Sequence, residues 1–292
     1  MASLKEIKAR ISSVSSTLKI TQAMKMVSSA KLRKAQKMVA GLDAYKDALH
    51  DILGRLKEYI SNSPLAEQRS LSGKVAVVVF SSNTALCGSY NANIFKALTA
   101  EVKRLWEEGA KALVIPVGEK VAKMARKAGY ELNLDFVASG DSLVYEDIAS
   151  LGQYLIDSFL AGSFSSVELL YMRYHSASRQ TMECVTWLPV AGAPAVIAQD
   201  ASELEPLPDD LIIEPSKEEV VEKLLPLAMR TDMYATLLSS NASENACRMI
   251  AMQTASDNAE DLLSQLRLTY NKQRQQVITE ELTDISNGKL GA

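Results

Sequence analysis

Aromatic residues, histidine and cysteine are all scarce in this sequence, and a long hydrophobic run is missing. Of the 292 residues, 6% are aromatic, two are histidine and three are cysteine. Cys87, Cys184 and Cys247 lie far apart without a CxxC motif, so neither a disulfide framework nor a zinc site is indicated. No apolar run reaches the roughly 18 residues that a membrane-spanning helix needs, so we expect none.

Motifs that bind nucleotide phosphates are missing too. The segment Ser81–Ser89, after the first predicted strand, has one glycine and no GxGxxG, and a GxxxxGK followed by Ser or Thr occurs nowhere. Cys87 precedes a predicted helix, a position that can activate a thiol. The two histidines, His50 and His175, fall in a long helix and in a predicted turn. We therefore predict no catalytic residue, no cofactor and no metal ion, with Cys87 a buried or loop residue.

Acidic residues are absent between Glu6 and Asp43, whereas basic residues recur there. A helix face of one charge sign favours a partner with an acidic surface. Nucleic acid is a second candidate, but no aromatic residue between Met1 and Tyr45 could stack on bases. We therefore predict a protein partner and no nucleic acid, although phosphate contact stays open. The basic residues are Lys8, Arg10, Lys19, Lys25, Lys31, Arg33, Lys34 and Lys37.

Both ends of the chain predict long helices. Over Leu4–Ile60, apolar or small residues recur at alternating spacings of four and three, which is typical of a coiled-coil helix. The same period runs over Lys217–Ser286, after a capping box formed by Ser216 and Glu219. Pro226 should kink this second helix locally. Because neither helix is stable alone in water, we expect the two to pair in an antiparallel arrangement.

The middle of the chain alternates between strand and helix patterns. This alternation indicates a mostly parallel sheet of Rossmann-like type, with a hairpin at its end around His175–Ser178. The predicted strands are Lys74–Phe80, Ala112–Val117, a short one near Leu132–Val137, Val167–Tyr174 and Met182–Leu188, and the predicted helices are Asn91–Glu108, Glu119–Ala128 and Leu143–Leu160.

The predicted fold class is therefore an α/β domain inserted between the two helices of a long antiparallel coiled coil. We divide the chain into an N-terminal coiled-coil helix (1–62), a Rossmann-like α/β domain (70–210) and a C-terminal coiled-coil helix (216–287). The proline-containing segment Glu203–Pro215 is read as the linker into the last helix.

Three stretches of the sequence resemble those of one known family. ITQAMKMVSSAKLRKAQ (Ile20–Gln36) is similar to the N-terminal motif of the ATP synthase gamma subunit. SENACRMIAMQTASDNAEDL (Ser243–Leu262) and YNKQRQQVITEELTDI (Tyr270–Ile285) are similar to that family's C-terminal helix, and ALCGSYN (Ala85–Asn91) resembles its loop after the first strand of the middle domain. The resemblance thus covers both ends and the middle of the chain.

The resemblance implies a mechanical role without chemistry of its own. In that family the coiled coil stands inside a hexamer of three alpha and three beta subunits, and beta carries the nucleotide chemistry. The α/β domain sits at the foot, with the epsilon subunit and the ring of c subunits, and contact with the membrane is made only through that membrane sector. The N-terminus MASLKEIKARI has no apolar core of a signal peptide and no evident transit peptide. We therefore expect a bacterial protein, peripheral on the cytoplasmic side of the cell membrane.

The resemblance also implies roles for particular residues. Met24 matches the family methionine beside an acidic loop of beta, where lysine impairs coupling. The other residues expected to contact beta or to serve coupling are Lys25, Arg33, Lys34, Arg248, Gln275, Thr279 and Glu281. For Met24 the alternative is coiled-coil packing, and for Arg248 and Glu281 it is an ordinary exposed ion pair. In the middle-domain loop the matching residues are Cys87, Gly88 and Asn91.

The sequence departs from the family pattern at two places. Asn83, Ala85 and Ser89 replace an aspartate and two glycines that are usual in the middle loop, which leaves the role of this loop open. Lys289 interrupts a C-terminal tail that is usually small and apolar. The inserted cysteine pair of the plant plastid type is absent, so we expect no thiol regulation.

Two other functions remain to be weighed. A coiled-coil scaffold or adaptor with an α/β head would pair with a second copy of itself and act without alpha and beta subunits. A Rossmann enzyme with helical arms for dimerisation would require a phosphate loop and a catalytic dyad, and the sequence offers neither. Nucleotide binding by the isolated chain would favour the enzyme.

Overall fold

The structure is a computed structural model that describes residues 3–70, 73–140, 143–190 and 213–288. It contains two compact units, one formed by Met1–Ser29 with Arg248–Ala292 and the other by Ala30–Cys247. We call them the tip unit and the base unit, and each is described by itself. Their boundaries fall within both long helices, so the division of the chain at 1–62, 70–210 and 216–287 stays a prediction.

Long helices open and close the chain, as the heptad pattern predicted. The first ends at Arg55 rather than Ile60, because the chain leaves the helical conformation at Leu56 and then makes one more turn. Gly54, which has a low helix propensity, stands just before this break. The last helix continues through Pro226 as one element. In chain order the helices are α1 (Leu4–Arg55), α2 (Lys57–Ile60), α3 (Tyr90–Glu107), α4 (Glu119–Lys127), α5 (Tyr145–Leu160) and α6 (Lys217–Gly288).

A four-stranded sheet forms the centre of the base unit. In chain order its strands are β1 (Lys74–Phe80), β2 (Lys111–Val117), β3 (Ser166–Tyr174) and β4 (Gln180–Leu188), and their spatial order is β2-β1-β3-β4. β1 lies parallel to both β2 and β3, whereas β3 and β4 form the predicted antiparallel hairpin. After Lys74, every residue of β1 is apolar and buried, as is typical of a parallel strand that is covered on both faces. The predicted fold class is confirmed.

The short strand predicted near Leu132–Val137 is wrong. Only Leu132 pairs with the sheet, through a single bridge to Val114. The Asn133 side chain then accepts a hydrogen bond from the Asp135 amide at 3.0 Å, which turns the chain away from the sheet, and a 3-10 turn follows at Val137–Gly140. The segment predicted as linker, Glu203–Pro215, lies outside the described residues up to position 212.

The two faces of the sheet are covered by different helices of the base unit. On one face, Val75, Val77 and Val79 pack in a cluster with side chains of α3 and α4. On the other, Ala76, Val78 and Phe80 pack in a cluster with α5, α2 and the parts of α1 and α6 that belong to this unit. Alternate side chains of a strand point to opposite faces, so one apolar strand serves both clusters.

Within the base unit, α1 and α6 are neighbours. His50 of α1 lies 3.0 Å from Asp232 of α6. Further along the chain, the Tyr59 ring of α2 lies 5.8 Å from the Lys217 ammonium. From His50 to Tyr59 the chain advances, while their partners go back from Asp232 to Lys217. The two segments therefore run antiparallel in this unit, as predicted.

In the tip unit, the first part of α1 packs against the last part of α6 through small and polar residues. Ser256 donates a hydrogen bond to the Thr21 hydroxyl at 2.9 Å, and Gln22 donates to Glu260 at 3.1 Å. Thr21, Ser256 and Leu263 are buried. Between residues 271 and 283, by contrast, α6 has no buried side chain. The described end of α6 therefore leaves its side chains open to a further surface.

Candidate contact surfaces on the long helices and the loop after the first strand

The residues predicted on α1 differ in burial. In the tip unit, Met24 and Lys25 are half-buried, and the Met24 carbonyl accepts a hydrogen bond from Ser28 at 2.8 Å. In the base unit, Arg33 and Lys34 are exposed. Met24 therefore borders the packed seam of the coiled coil and still presents part of its side chain to solvent.

An apolar stripe on α1, formed by Ile20, Met24 and Val27, was missed by sequence reasoning. Spacings of four and three place these three side chains on one face of the helix. Ile20 and Val27 are 60% and 57% exposed. Large apolar side chains grouped on a surface mark a site of contact with another molecule. The heptad pattern did not predict the stripe, because it considered only the residues of the seam, and Ile20, Met24 and Val27 are not among them.

The described end of α6 also exposes apolar side chains. Leu268 and Leu282 are each 62% exposed, and Ile278 between them is also exposed. The predicted contact residues Gln275, Thr279 and Glu281 are exposed on the same segment. The only side-chain bond of Thr279 in the described structure is donated to the Gln275 carbonyl of its own helix, at 2.9 Å.

Arg248 lies in a different environment from the other predicted residues. Its side chain is buried, with only 7% of the residue exposed. The alternative reading of this arginine as an ordinary exposed ion pair is therefore wrong. For Glu281, which is exposed, that reading stays open.

The loop after β1 is held by the side chain of Asn91. The Asn91 amide group donates hydrogen bonds to the Ser82 hydroxyl at 2.7 Å and to the Cys87 sulfur at 3.1 Å, and its oxygen accepts from the Ser82 amide at 3.2 Å. Gly88 takes a positive φ of 60°, and so does Leu86 at 68°. Cys87, Gly88 and Asn91, which were matched to the family's middle-domain loop, thus lie together, with Asn91 in the first turn of α3, and Leu86 lies exposed in the loop.

The same loop is bound to the start of α4. The Asn83 side chain accepts a hydrogen bond from the Glu119 amide at 2.8 Å, and the Ser82 carbonyl accepts from the Lys120 amide at 3.0 Å. Gly118, which precedes α4, has a φ of 118°, and a Cβ there would lie 2.3 Å from the Ser81 carbonyl oxygen. Asn83 therefore accepts a hydrogen bond from an amide in the first turn of α4.

Cys87 has the environment of a packed residue. It is 2% exposed, and its sulfur contacts Ser82 and Asn91. Both histidines have other partners, since His50 pairs with Asp232 and His175 with Thr181. The prediction of Cys87 as a buried or loop residue is confirmed.

A carboxylate cluster on β3 was not predicted from the sequence. Glu168 is buried and bonded to Arg104 of α3 at 2.7 Å, and Glu101 of α3 lies beside both. Burial, followed by the neighbouring Glu101, raises the Glu168 pKa to about 7, although Arg104 opposes this shift. The Cys184 sulfur of β4 completes the cluster at 3.8 Å from Glu168. Positions so far apart in sequence gave no pattern that could have identified it.

Among residues 3–70, 73–140, 143–190 and 213–288, no helix is both long enough and apolar enough to cross a membrane.

Comparisons with known proteins give one consistent result. A family model described as ATP synthase matches residues 3–290. The ATP synthase gamma chain of Parabacteroides distasonis is 44% identical over 290 residues, which are 99% of this chain and 98% of that one. The gamma chain of Phocaeicola vulgatus is also 44% identical, over 99% of this chain and the whole of that one.

Solved structures extend the similarity to the fold. A chain of the Euglena gracilis mitochondrial ATP synthase, in the assembly titled OSCP/F1/c-ring, has a TM-score of 0.62 at 17% identity and covers 99% of this chain and 94% of its own. A chain of the Tetrahymena thermophila central stalk and c-ring has a TM-score of 0.57 at 24% identity, over 81% of this chain and 99% of its own. Together with the relatives, these matches confirm the resemblance found in the sequence, and the chain belongs to the ATP synthase gamma-chain family.

Proposed function

We propose that this chain is the central shaft of an F-type ATP synthase, which rotates inside a hexamer of three alpha and three beta subunits. The observation that carries the proposal is the described end of α6, where residues 264–283 include no buried side chain and present Leu268, Ile278 and Leu282 to their surroundings. An exposed apolar helix of this length needs a partner surface. The bore of a hexamer is such a surface.

The shaft works by making different contacts with different states of beta. A rotating element shifts a neighbour between conformations only if its interaction free energy with those conformations differs. In the tip unit, one side of α1 exposes the apolar stripe with Ile20 and Val27, while Thr21 and Ser28 on another side are buried. Because the surface is not the same all round, each orientation of the shaft favours a different beta state.

Particular residues are proposed to carry these contacts. Met24 and Lys25 would meet beta near the apolar stripe, and Arg33 and Lys34 would meet acidic loops. Those proposed on α6 are Arg248, Gln275, Thr279 and Glu281. Arg248 acts from a buried position and so would hold the shape of the shaft, whereas the other three are exposed and available to beta.

The remaining partners follow from the same proposal. The α/β domain, within 70–210, would sit at the foot with the epsilon subunit and the c-ring, and ion flow through the membrane sector would turn it. The two coiled-coil segments, 1–62 and 216–287, would form the shaft. The chain would be peripheral on the cytoplasmic side of a bacterial membrane. Cys87, Gly88 and Asn91 would keep the loop after β1 in shape, and nucleotide chemistry would belong to beta.

Co-expression of the chain with the alpha and beta subunits of its host tests the proposal. We expect a complex with one copy of this chain per three alpha and three beta, and an ATPase activity that depends on it. Native mass spectrometry gives the stoichiometry, and omission of the chain gives the control. Failure to join alpha and beta, or a homodimer instead, would overturn the proposal in favour of a coiled-coil scaffold.

A further inference from the structure

β3 continues beyond the end of its neighbour β1. The last residue pair between the two strands is Val79 with Leu170, whereas β3 runs on to Tyr174. Beyond that pair, the backbone N–H and C=O groups of every second residue of β3 point to the edge where β1 no longer pairs with it. A buried backbone group without a partner is costly, so another element has to replace the missing strand.

Serine side chains of α6 take the place of that strand. The Tyr174 amide donates to the Ser239 hydroxyl at 3.0 Å, and the Ser243 hydroxyl donates to the Met172 carbonyl at 2.9 Å. The spacing of four places Ser239 and Ser243 one helical turn apart, which matches the two backbone groups of β3. A helix is thus bonded to a strand edge by two directional contacts.

A third hydroxyl binds the same turn of α6 to α3. The Tyr90 hydroxyl lies 2.7 Å from the Ser240 hydroxyl and 3.1 Å from the Ser240 carbonyl. Tyr90 and Ser240 are both buried, and burial raises the pKa of Tyr90 well above its usual value, so it stays a neutral donor. On the far side, Gln36 of α1 donates to the Tyr174 hydroxyl at 2.8 Å. We call Ser239, Ser240 and Ser243 the serine joint.

We propose that the serine joint is the place where torque passes between α6 and the α/β sheet. This inference rests on the proposed function as a shaft. Apolar packing is not directional and permits small slides and rotations, particularly along small side chains. Hydrogen bonds to a strand edge restrain both the rotation of α6 about its axis and its translation along that axis. The joint would therefore position the shaft rather than contact substrate.

The test uses the complete ATP synthase in membrane vesicles, with Ser239→Ala/Ser243→Ala in this chain. We expect normal assembly and ATP hydrolysis but a partial loss of proton pumping per ATP hydrolysed. The double variant Ser239→Thr/Ser243→Thr keeps both hydroxyls and should restore the ratio. As a matched control, Thr236→Val removes a buried hydroxyl whose one bond among the described residues lies within α6, to the Asp232 carbonyl, and it should leave pumping unchanged.

Hydrogen exchange of the same complexes measures the contact directly. In the alanine variant the Tyr174 amide should exchange about tenfold faster, since loss of one hydrogen bond shifts such an equilibrium by about that factor. Unchanged pumping and unchanged exchange would overturn the proposal, as would a loss of pumping equal in the Thr236→Val control. If the double variant fails to assemble, Tyr90→Phe replaces it: it removes the bond to Ser240, and we expect a partial loss of pumping with the Tyr174 amide protected as in wild type. A wild-type chain that does not assemble would instead overturn the shaft function itself.

Discussion

At the scale of single residues, Glu168 is a carboxyl group whose ionisation works against the fold. Its pKa of about 7 lies above the ordinary value of 4.5, chiefly because the carboxyl is buried. A group with a raised folded pKa stabilises the fold below its unfolded pKa, and that stability is lost as the pH rises through the folded pKa. Ionisation of the buried Glu168 thus lowers stability progressively as the pH rises from about 4.5 to about 7, and the full loss remains above pH 7.

We therefore predict that Glu168→Gln removes part of the pH dependence of stability. Relative to wild type, the variant should gain roughly 1–2 kcal/mol in free energy of unfolding at pH 8 and almost nothing at pH 5, after allowance for the bond lost to Arg104. Urea denaturation of the full chain at the two pH values measures this. Glu107→Gln, an exposed residue of α3, is the control. A variant less stable than wild type at pH 8 would mean that Arg104 outweighs burial.

Met24 gives a second prediction at this scale. Met24→Lys would place a charge in the stripe of Ile20 and Val27, where a partner that binds apolar surface would desolvate it. We expect ATP synthesis to fall by roughly tenfold while hydrolysis falls much less, since one beta state is then bound differently from the others. Parallel assays on reconstituted enzyme give the two rates.

Met26→Lys is the matched control for this substitution. Met26 is 69% exposed and lies two residues further on, which is about 200° around the helix from Met24. It should change both activities little. Equal losses of synthesis and hydrolysis in Met24→Lys would reduce Met24 to a packing residue of the coiled coil.

At the scale of elements, the described end of α6 carries exposed residues that we expect to affect coupling without affecting the stability of the fold. Gln275 and Thr279 are exposed, and within the part of the chain that the structure describes the Thr279 hydroxyl donates to the Gln275 carbonyl of its own helix alone. We predict that Gln275→Ala or Thr279→Val weakens coupling while the free energy of unfolding stays within about 0.5 kcal/mol of wild type. Thr99→Val should leave coupling intact; this exposed threonine of α3 also donates to a carbonyl of its own helix, and it accepts from the Tyr130 hydroxyl at 3.3 Å. A fall in melting temperature with unchanged coupling would make the two residues merely structural.

Elements were predicted well where a local period or a turn motif fixed them. Both long helices and four strands followed from spacing alone, and so did the hairpin near His175. The prediction failed at Leu132, where the side chain of Asn133 turns the chain, and at Leu56, where the helix breaks. In both places one local bond or one weak helix former outweighed the periodic pattern.

The candidate site was less accessible to the sequence than the fold. Met24 and the α6 residues came from family resemblance, and composition alone indicated only an acidic partner. The sequence did not predict the serine joint. Small polar residues in a heptad pattern indicate only a weakly packed helix pair, and the bonds to the edge of β3 become apparent only in the folded structure. Glu168 was missed for a similar reason, since Arg104 lies far away in sequence.

At the scale of the whole molecule, charge distribution matters more than net charge. The chain carries a net charge of −3, yet no acidic residue lies between Glu6 and Asp43. A chain that is acidic overall and basic along one helix is attracted to an acidic partner through that helix alone. Such attraction acts mainly on the rate of encounter, and salt screens it within about 10 Å at 0.1 M ionic strength.

We therefore predict that Arg33→Glu/Lys34→Glu slows assembly with alpha and beta at low salt by about tenfold, and that the difference shrinks as salt is raised. Lys96→Glu/Lys127→Glu, at two exposed lysines of α3 and α4, changes the net charge by the same amount, from −3 to −7, and is the control. Recovery of ATPase activity with time after mixing measures the rate. If both double variants slow assembly equally, net charge is responsible and α1 has no special role. If only the α1 variant is slow and salt removes the difference, the basic face of α1 guides the shaft to its partner.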